Sequence, residues 1–208
     1  MTNLIAKHGG YKNLKSFQMS EIVYDLTFDF TARYIQSHKM RDQIEGAARS
    51  GKQNIAEGSQ TSGTSKQSEL RLVDVARASL QELLEDYEDF LRTRGLQQWT
   101  KEDPRTVEIR KLAYRSNRTY TTYKSYLTDA ETAANCAICL INQANYLLDQ
   151  QLRALQTELS GRGDFKERYK QVKKLELVGG NDDYDEFLKS QRLRRLENGR
   201  VVKIGEED

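Results

Sequence analysis

The sequence predicts an all-α protein: an antiparallel four-helix bundle with a helical extension and a charged C-terminal tail. Three observations predict it. Apolar residues recur at three- and four-residue steps through most of the first 160 positions, the 208 residues include a single proline, and no period-two alternation is long enough for a sheet. A hydrophobic content of 37% beside 31% charged residues suits helices that bury one stripe and expose the rest. A chain of this size buries roughly 70% of its unfolded surface, so it needs neither metal nor disulfide to fold. The reading divides the chain into an N-terminal arm at 1–13, a helical bundle at 14–160, and a tail at 161–208 made of a basic short helix and a charged, mobile segment.

Leu14, Phe17, Ile22, Val23, Leu26, Phe30 and Tyr34 line one face of a first helix. A second carries Met40, Ile44, Ala47, Ala48, Gly51, Ile55 and Ala56, and the small side chains let a neighbouring helix approach closely. Gly58 is placed to end it, before a loop rich in Ser, Thr and Gly. Thr64 and Gln67 have the spacing of a capping box for a third helix, which points Leu70, Val73, Ala76, Leu80, Leu83, Leu84, Tyr87 and Leu91 inward and stops at Gly95. Asp103-Pro104 opens a fourth, with Ile109, Ala113, Tyr120, Tyr123 and Leu127 on its buried face. Thr128 and Glu131 suggest a second capping box and a break. The stripe then resumes through Ala134, Ala137, Ile138, Ile141, Leu148, Leu152, Leu155 and Leu159.

Little in the sequence supports catalysis. Cys136 and Cys139 share a helical face, but a structural zinc site needs four ligands and the chain has no other cysteine. They read as small core residues, and His8 and His38 as surface residues. Glu82, Glu85, Asp86, Glu88 and Asp89 on the third helix read as a solvated acidic face rather than paired catalytic carboxylates. No phosphate-binding glycine loop or serine nucleophile motif occurs, so the expectation is a non-enzyme with no cofactor and no metal. No apolar run spans a membrane, which makes the cytoplasm the expected compartment.

The net charge of +2 is too mild to imply a partner, but its distribution is uneven. Between positions 105 and 124, Arg105, Arg110, Lys111, Arg115, Arg118 and Lys124 are opposed only by Glu108. On a continuous helix Lys111, Arg115, Arg118 and Thr122 share the face opposite the apolar stripe, with Tyr114, Tyr120, Tyr123 and Tyr126 interleaved. Such a surface suits nucleic acid, through phosphate contacts and base stacking. It equally suits the acidic face of the third helix, in the same subunit or a neighbour. Arg49 and Lys52, one turn apart on the outer side of the second helix, are further candidates for phosphate contact.

The segment Asn54-Ile55-Ala56-Glu57-Gly58, with the preceding residues 43–53, resembles the signature of the small four-helix-bundle proteins encoded in ribosomal RNA intervening sequences. Val75-Ala76-Arg77-Ala78-Ser79-Leu80-Gln81-Glu82-Leu83 is similar to that family's third helix. Asn117-Arg118-Thr119-Tyr120, Ala133-Ala134-Asn135 and the residues 140–149 resemble its longer branch, which carries a four-helix-bundle suffix region. The resemblance implies a homo-oligomeric ring, typically a pentamer. In relatives that accompany diversity-generating retroelements it implies an accessory protein binding a reverse transcriptase and nucleic acid, either RNA or an RNA–DNA complex. On that basis Arg49, Lys52, Arg110, Lys111, Arg115 and Arg118 are the expected nucleic-acid-binding residues. A scaffold that binds only protein is the competing expectation.

Overall fold

A computed structural model describes residues 9–115, 118–162, 188–189, 193–195 and 201–203. Six α-helices lie among them: α1 (Lys15–Tyr34), α2 (His38–Thr61), α3 (Lys66–Thr93), α4 (Pro104–Leu112), α5 (Tyr120–Tyr123) and α6 (Ala130–Arg162). The four long ones form a packed bundle in which α1 and α3 each touch α2 and α6. Their directions alternate. Thr31 bonds Glu45 and Lys52 lies over Tyr24, so rising numbers on α2 meet falling numbers on α1. Across α3 and α6 the same order is set by Arg77 with Asp149 (3.0 Å) and Lys66 with Glu158 (3.4 Å).

The core follows the periodicity except at Met40, expected on the buried stripe of α2 but 47% exposed in its first turn. Phe17, Ile22, Val23, Leu26 and Phe30 of α1 are buried, as are Val73, Ala76, Leu80, Leu83, Tyr87 and Leu91 of α3. Phe30 anchors an aromatic cluster, its ring centroid 4.8 Å from Tyr87 and 4.9 Å from Phe90. Residues 133–141 of α6 are buried on every side, because α1, α3 and α4 all pack on that helix. Cys136 and Cys139 fall in this stretch as buried free thiols, and burial pushes both away from ionisation. His38 is exposed at the start of α2, while His8 lies outside the described residues.

Helix ends show where local signals compete. Gly95 ends α3 as expected: its φ is +64°, its N–H donates to the Arg92 carbonyl at 3.3 Å, and the Leu96 N–H reaches the Leu91 carbonyl at 3.0 Å. That pair of bonds is the Schellman arrangement, which a left-handed residue makes possible. Gly58 does not end α2, which continues to Thr61. It is a packing glycine instead. A Cβ at Gly58 would sit 3.4 Å from the Glu69 carbonyl oxygen and 3.4 Å from the Leu72 Cβ, in contact with α3, which leaves no room for a side chain larger than alanine. The caps of α3 and α6 also differ from expectation by one residue. Ser65 rather than Thr64 accepts from the Ser68 N–H at 3.1 Å, and Asp129 rather than Thr128 accepts from the Thr132 N–H at 2.8 Å.

Gly51 marks the closest approach in the bundle. A Cβ there would lie 2.6 Å from Leu80 Cδ2 and 2.7 Å from its Cγ, and Leu80 is fully buried. Overpacking a full core typically costs about 1–3 kcal/mol, against which alanine recovers about 1 kcal/mol of helix propensity. Gly51→Ala is therefore expected to destabilise, by up to about 2 kcal/mol, in denaturant melts. Combined with Leu80→Ala, the two losses should sum to more than the double variant shows.

The continuous fourth helix predicted over 104–127 is not formed. Helix α4 stops at Leu112, the single turn α5 begins at Tyr120, and a 3-10 turn at Lys124–Tyr126 follows. The N-terminal arm is tied to the bundle from Gly9 onward: the Gly9 N–H donates to the Ser59 carbonyl at 3.0 Å, and Tyr11 packs edge-on against Phe17. In the tail, Leu193–Arg195 and Val201–Lys203 pair as two short antiparallel strands, with Arg194 opposite Val202. The absence of a long alternating pattern gave no expectation of strands there. The expected basic helix over 165–177 lies outside the described residues.

Candidate nucleic-acid interface

The basic segment is held by two anchors, one on each side of the break after Leu112. Helix α4 starts at Pro104, where a missing N–H leaves no partner wanting, and Asp103 accepts from the Arg105 N–H at 2.9 Å. Ile109 is fully buried on α6. The linker before α4 is fastened to the first turns of α6. Asn135, itself buried, accepts from the Trp99 N–H at 2.8 Å and donates to the Gln97 carbonyl at 2.8 Å. Glu131 accepts from the Gln97 N–H at 3.0 Å and from the Trp99 indole at 3.3 Å. Arg105 then stacks 3.9 Å above the Trp99 ring.

On the other side, α5 docks on α1. The Tyr120 hydroxyl donates to Asp29, and the Leu127 carbonyl accepts from Arg33 at 3.1 Å and Tyr34 at 3.0 Å. Tyr123 is fully buried. Burial holds the phenols of Tyr120 and Tyr123 up at about 12, with the Asp29 carboxylate adding to the shift at Tyr120.

These anchors sort the six expected binding residues into three places. Arg110 and Lys111 project from α4 and are exposed, as is Arg115 just beyond it. Arg110 donates to the Lys101 carbonyl at 2.6 Å, which ties it to the linker. Arg118 is half-buried in an open groove of about 590 Å³ between α5 and α1, shared with Lys12, Glu21, Asp25 and Tyr120. One of its Nη atoms donates to the Arg115 carbonyl at 3.4 Å, while its Nε is enclosed without a partner. Arg49 and Lys52 belong to α2. Arg49 is exposed, whereas Lys52 is half-buried with its Nζ 3.9 Å above the Tyr24 ring.

The single helical face predicted to join Lys111, Arg115, Arg118 and Thr122 therefore does not exist. With α4 ended at Leu112, the spacing of later residues no longer follows 100° steps. The interleaved tyrosines separate in the same way: Tyr123 is buried, Tyr120 and Tyr126 are half-buried, and Tyr114 stands 90% exposed between Lys111 and Arg115.

The acidic residues of α3 make local bonds. Asp89 pairs with Arg92 at 2.7 Å, Glu88 accepts from Gln98 at 3.0 Å, and Glu85 from Gln81 at 3.4 Å. Among the described residues neither Lys111 nor Arg115 forms an ion pair with them or with any other acid, whereas Arg105 of the same segment pairs with Asp103. Asp86 is the strained member of the acidic face. Burial, then Glu82, Asp89 and Glu85, raise its pKa, and its Oδ2 is enclosed without a partner. A carboxyl whose folded pKa lies above the unfolded value penalises folding once pH rises through that interval, and adds nothing below it. Asp86→Asn should accordingly raise the melting temperature at pH 7, with the gain vanishing near pH 3. Thermal melts across that range check it.

The polar residues of the Asn54-Ile55-Ala56-Glu57-Gly58 segment serve the α2–α3 contact. Asn54 donates to the Ser50 carbonyl at 2.9 Å and to its hydroxyl at 3.2 Å, and Ser50 meets Ser79 of α3 at 2.9 Å. The bond runs back to the preceding turn rather than forward to the loop. Glu57 is exposed.

Sequence reasoning missed Asn135, Glu131 and Asp29 as the residues that position the basic segment. Asn135 offered a signal, being a polar residue inside an otherwise apolar stripe. Among the described residues no three His, Cys, Asp or Glu side chains gather as metal ligands, and no helix is long and apolar enough to cross a membrane. Compared with known protein families, curated proteins and solved structures, the chain finds no match.

Proposed function

We propose that this chain is a non-enzymatic, cytoplasmic accessory protein that binds nucleic acid as a homo-oligomer, built on an antiparallel four-helix bundle. The observation that carries the reading is the exposed pair Lys111 and Arg115, free of ion pairs with described residues and set beside an exposed tyrosine. Cations left unpaired on a fixed element attract phosphate, and each contact releases counterions from the nucleic acid. Arg110 and Arg49 extend that surface, with Lys52 and Arg118 as partly enclosed contributors. The resemblance of residues 43–58 and 75–83 to the intervening-sequence family supports RNA or an RNA–DNA complex as ligand. It also supports a reverse transcriptase as partner and a pentameric ring as the assembly.

A protein-only scaffold is the second reading, favoured by the acidic face of α3. In a ring, that face of one subunit can meet the basic segment of the next. Purification with and without nuclease separates the two readings. The first expects nucleic acid to copurify at low salt and to be lost after nuclease treatment. The second expects protein partners to be recovered equally in both preparations, with no nucleic acid present.

A further inference from the structure

Among the described residues, Tyr114 and Phe28 are exposed aromatic rings that stand beside cations. Tyr114 is 90% exposed immediately after α4, flanked by the exposed Lys111 and Arg115. Phe28 is 52% exposed on α1, with Tyr24 one turn earlier at a centroid distance of 6.4 Å, and Lys52 of α2 caps the Tyr24 ring at 3.9 Å. Arg49 lies one turn before Lys52 and is exposed. Asp25 faces Lys52 and offsets part of its charge, so the Tyr114 site is the more cationic of the two. Leaving large rings in water gains nothing for the fold. Phe28 and Tyr114 stand out against the buried Phe17, Phe30, Tyr87 and Phe90 of the same chain.

Duplex nucleic acid hides its base faces within the stack, so a protein that reads only a duplex backbone has use for cations and none for exposed rings. Unpaired bases, in contrast, stack on aromatic side chains whatever their identity, while neighbouring Lys and Arg hold the backbone. We infer that the ligand is single-stranded, with Tyr114 and Phe28 as base-stacking platforms beside Lys111 and Arg115 and beside Arg49 and Lys52. This inference rests on the nucleic-acid reading above and names the strand form that it takes.

The test is fluorescence anisotropy of the full chain with a labelled single-stranded RNA and with the same RNA annealed to its complement. Wild-type protein should prefer the single strand by about tenfold or more, and Tyr114→Ala and Phe28→Ala should each weaken single-strand binding by about tenfold, in line with one lost stacking contact. Both side chains are exposed, so circular dichroism should show the two variants folded. Equal affinity for single strand and duplex, with both alanine variants unchanged while Lys111→Glu with Arg115→Glu loses binding, would overturn the inference and leave nucleic-acid binding standing. A Phe28→Ala chain that changes sedimentation but not affinity would assign Phe28 to subunit contact and remove it from the proposal. No binding of either form by wild type would overturn the nucleic-acid reading itself.

Discussion

Reversing Lys111 and Arg115 together to glutamate is expected to lower affinity for RNA by roughly 100-fold or more at low salt, since two phosphate contacts are lost and two repulsions replace them. The fold should not suffer. Both side chains are exposed and make no ion pair with a described residue, and surface changes of this kind usually stay within about 0.5 kcal/mol. Arg118 is a poorer target, although it was an expected binding residue. Its half-buried guanidinium donates to the Arg115 carbonyl and shares a groove with Glu21 and Asp25. A loss of binding on Arg118→Glu would mix charge with local rearrangement, whereas Lys111 and Arg115 report charge alone. Anisotropy titration of the double variant, with a thermal melt as control, measures the effect.

Asn135→Ala is expected to be the most damaging single change outside the large apolar core. The Asn135 carboxamide satisfies the Trp99 N–H, the Gln97 carbonyl and the Glu131 carbonyl at once, all within 2.9 Å. Alanine leaves the Trp99 N–H without a partner in a buried place, whereas the carbonyl of the exposed Gln97 can turn to water. A buried group left unpaired costs about 1–3 kcal/mol, so a loss of about that size is expected in urea melts. The same bonds fix where α4 begins. Hydrogen exchange should therefore rise over residues 97–112 more than at Tyr87 or Leu83 in the bundle centre. Asn135→Asp keeps the acceptor for Trp99 but sets a buried carboxylate oxygen against both carbonyls, and should destabilise at pH 7 at least as much as alanine.

The bundle was readable because long amphipathic helices repeat their signal over many turns. Val73, Ala76, Leu80, Leu83, Tyr87 and Leu91 are all buried, and Ala47, Ala48, Gly51, Ile55 and Ala56 form the close-packed side of α2. Punctuation was readable where geometry leaves one solution, as at Gly95 with its positive φ and at Asp103-Pro104. It was misleading at Gly58, where the small residue faces the neighbouring helix inside α2 and the local backbone stays helical. A sequence does not distinguish these two roles.

The functional segment was the least readable. Ile109, Tyr123 and Leu127 are buried as their spacing suggested, yet they belong to different elements, and the regular spacing across the break is coincidental. No proline or internal glycine marks the end of α4 at Leu112. What shapes the segment is tertiary: the Asn135 clamp on one side, and the bonds from Asp29, Arg33 and Tyr34 on the other. None of these partners lies within 15 residues of the break in a pattern that periodicity could detect, and tertiary contacts of this kind override helix propensity. The candidate cations were visible from composition, but their grouping was not.

The salt dependence of RNA binding by the unmodified chain tests the central claim most directly. With Lys111, Arg115 and their neighbours held to phosphates, log affinity should fall linearly with log salt, and Lys111→Glu with Arg115→Glu should flatten that slope by about 1.4 if single strands are bound. Binding that is absent at low salt, or that does not weaken as salt rises, would contradict it.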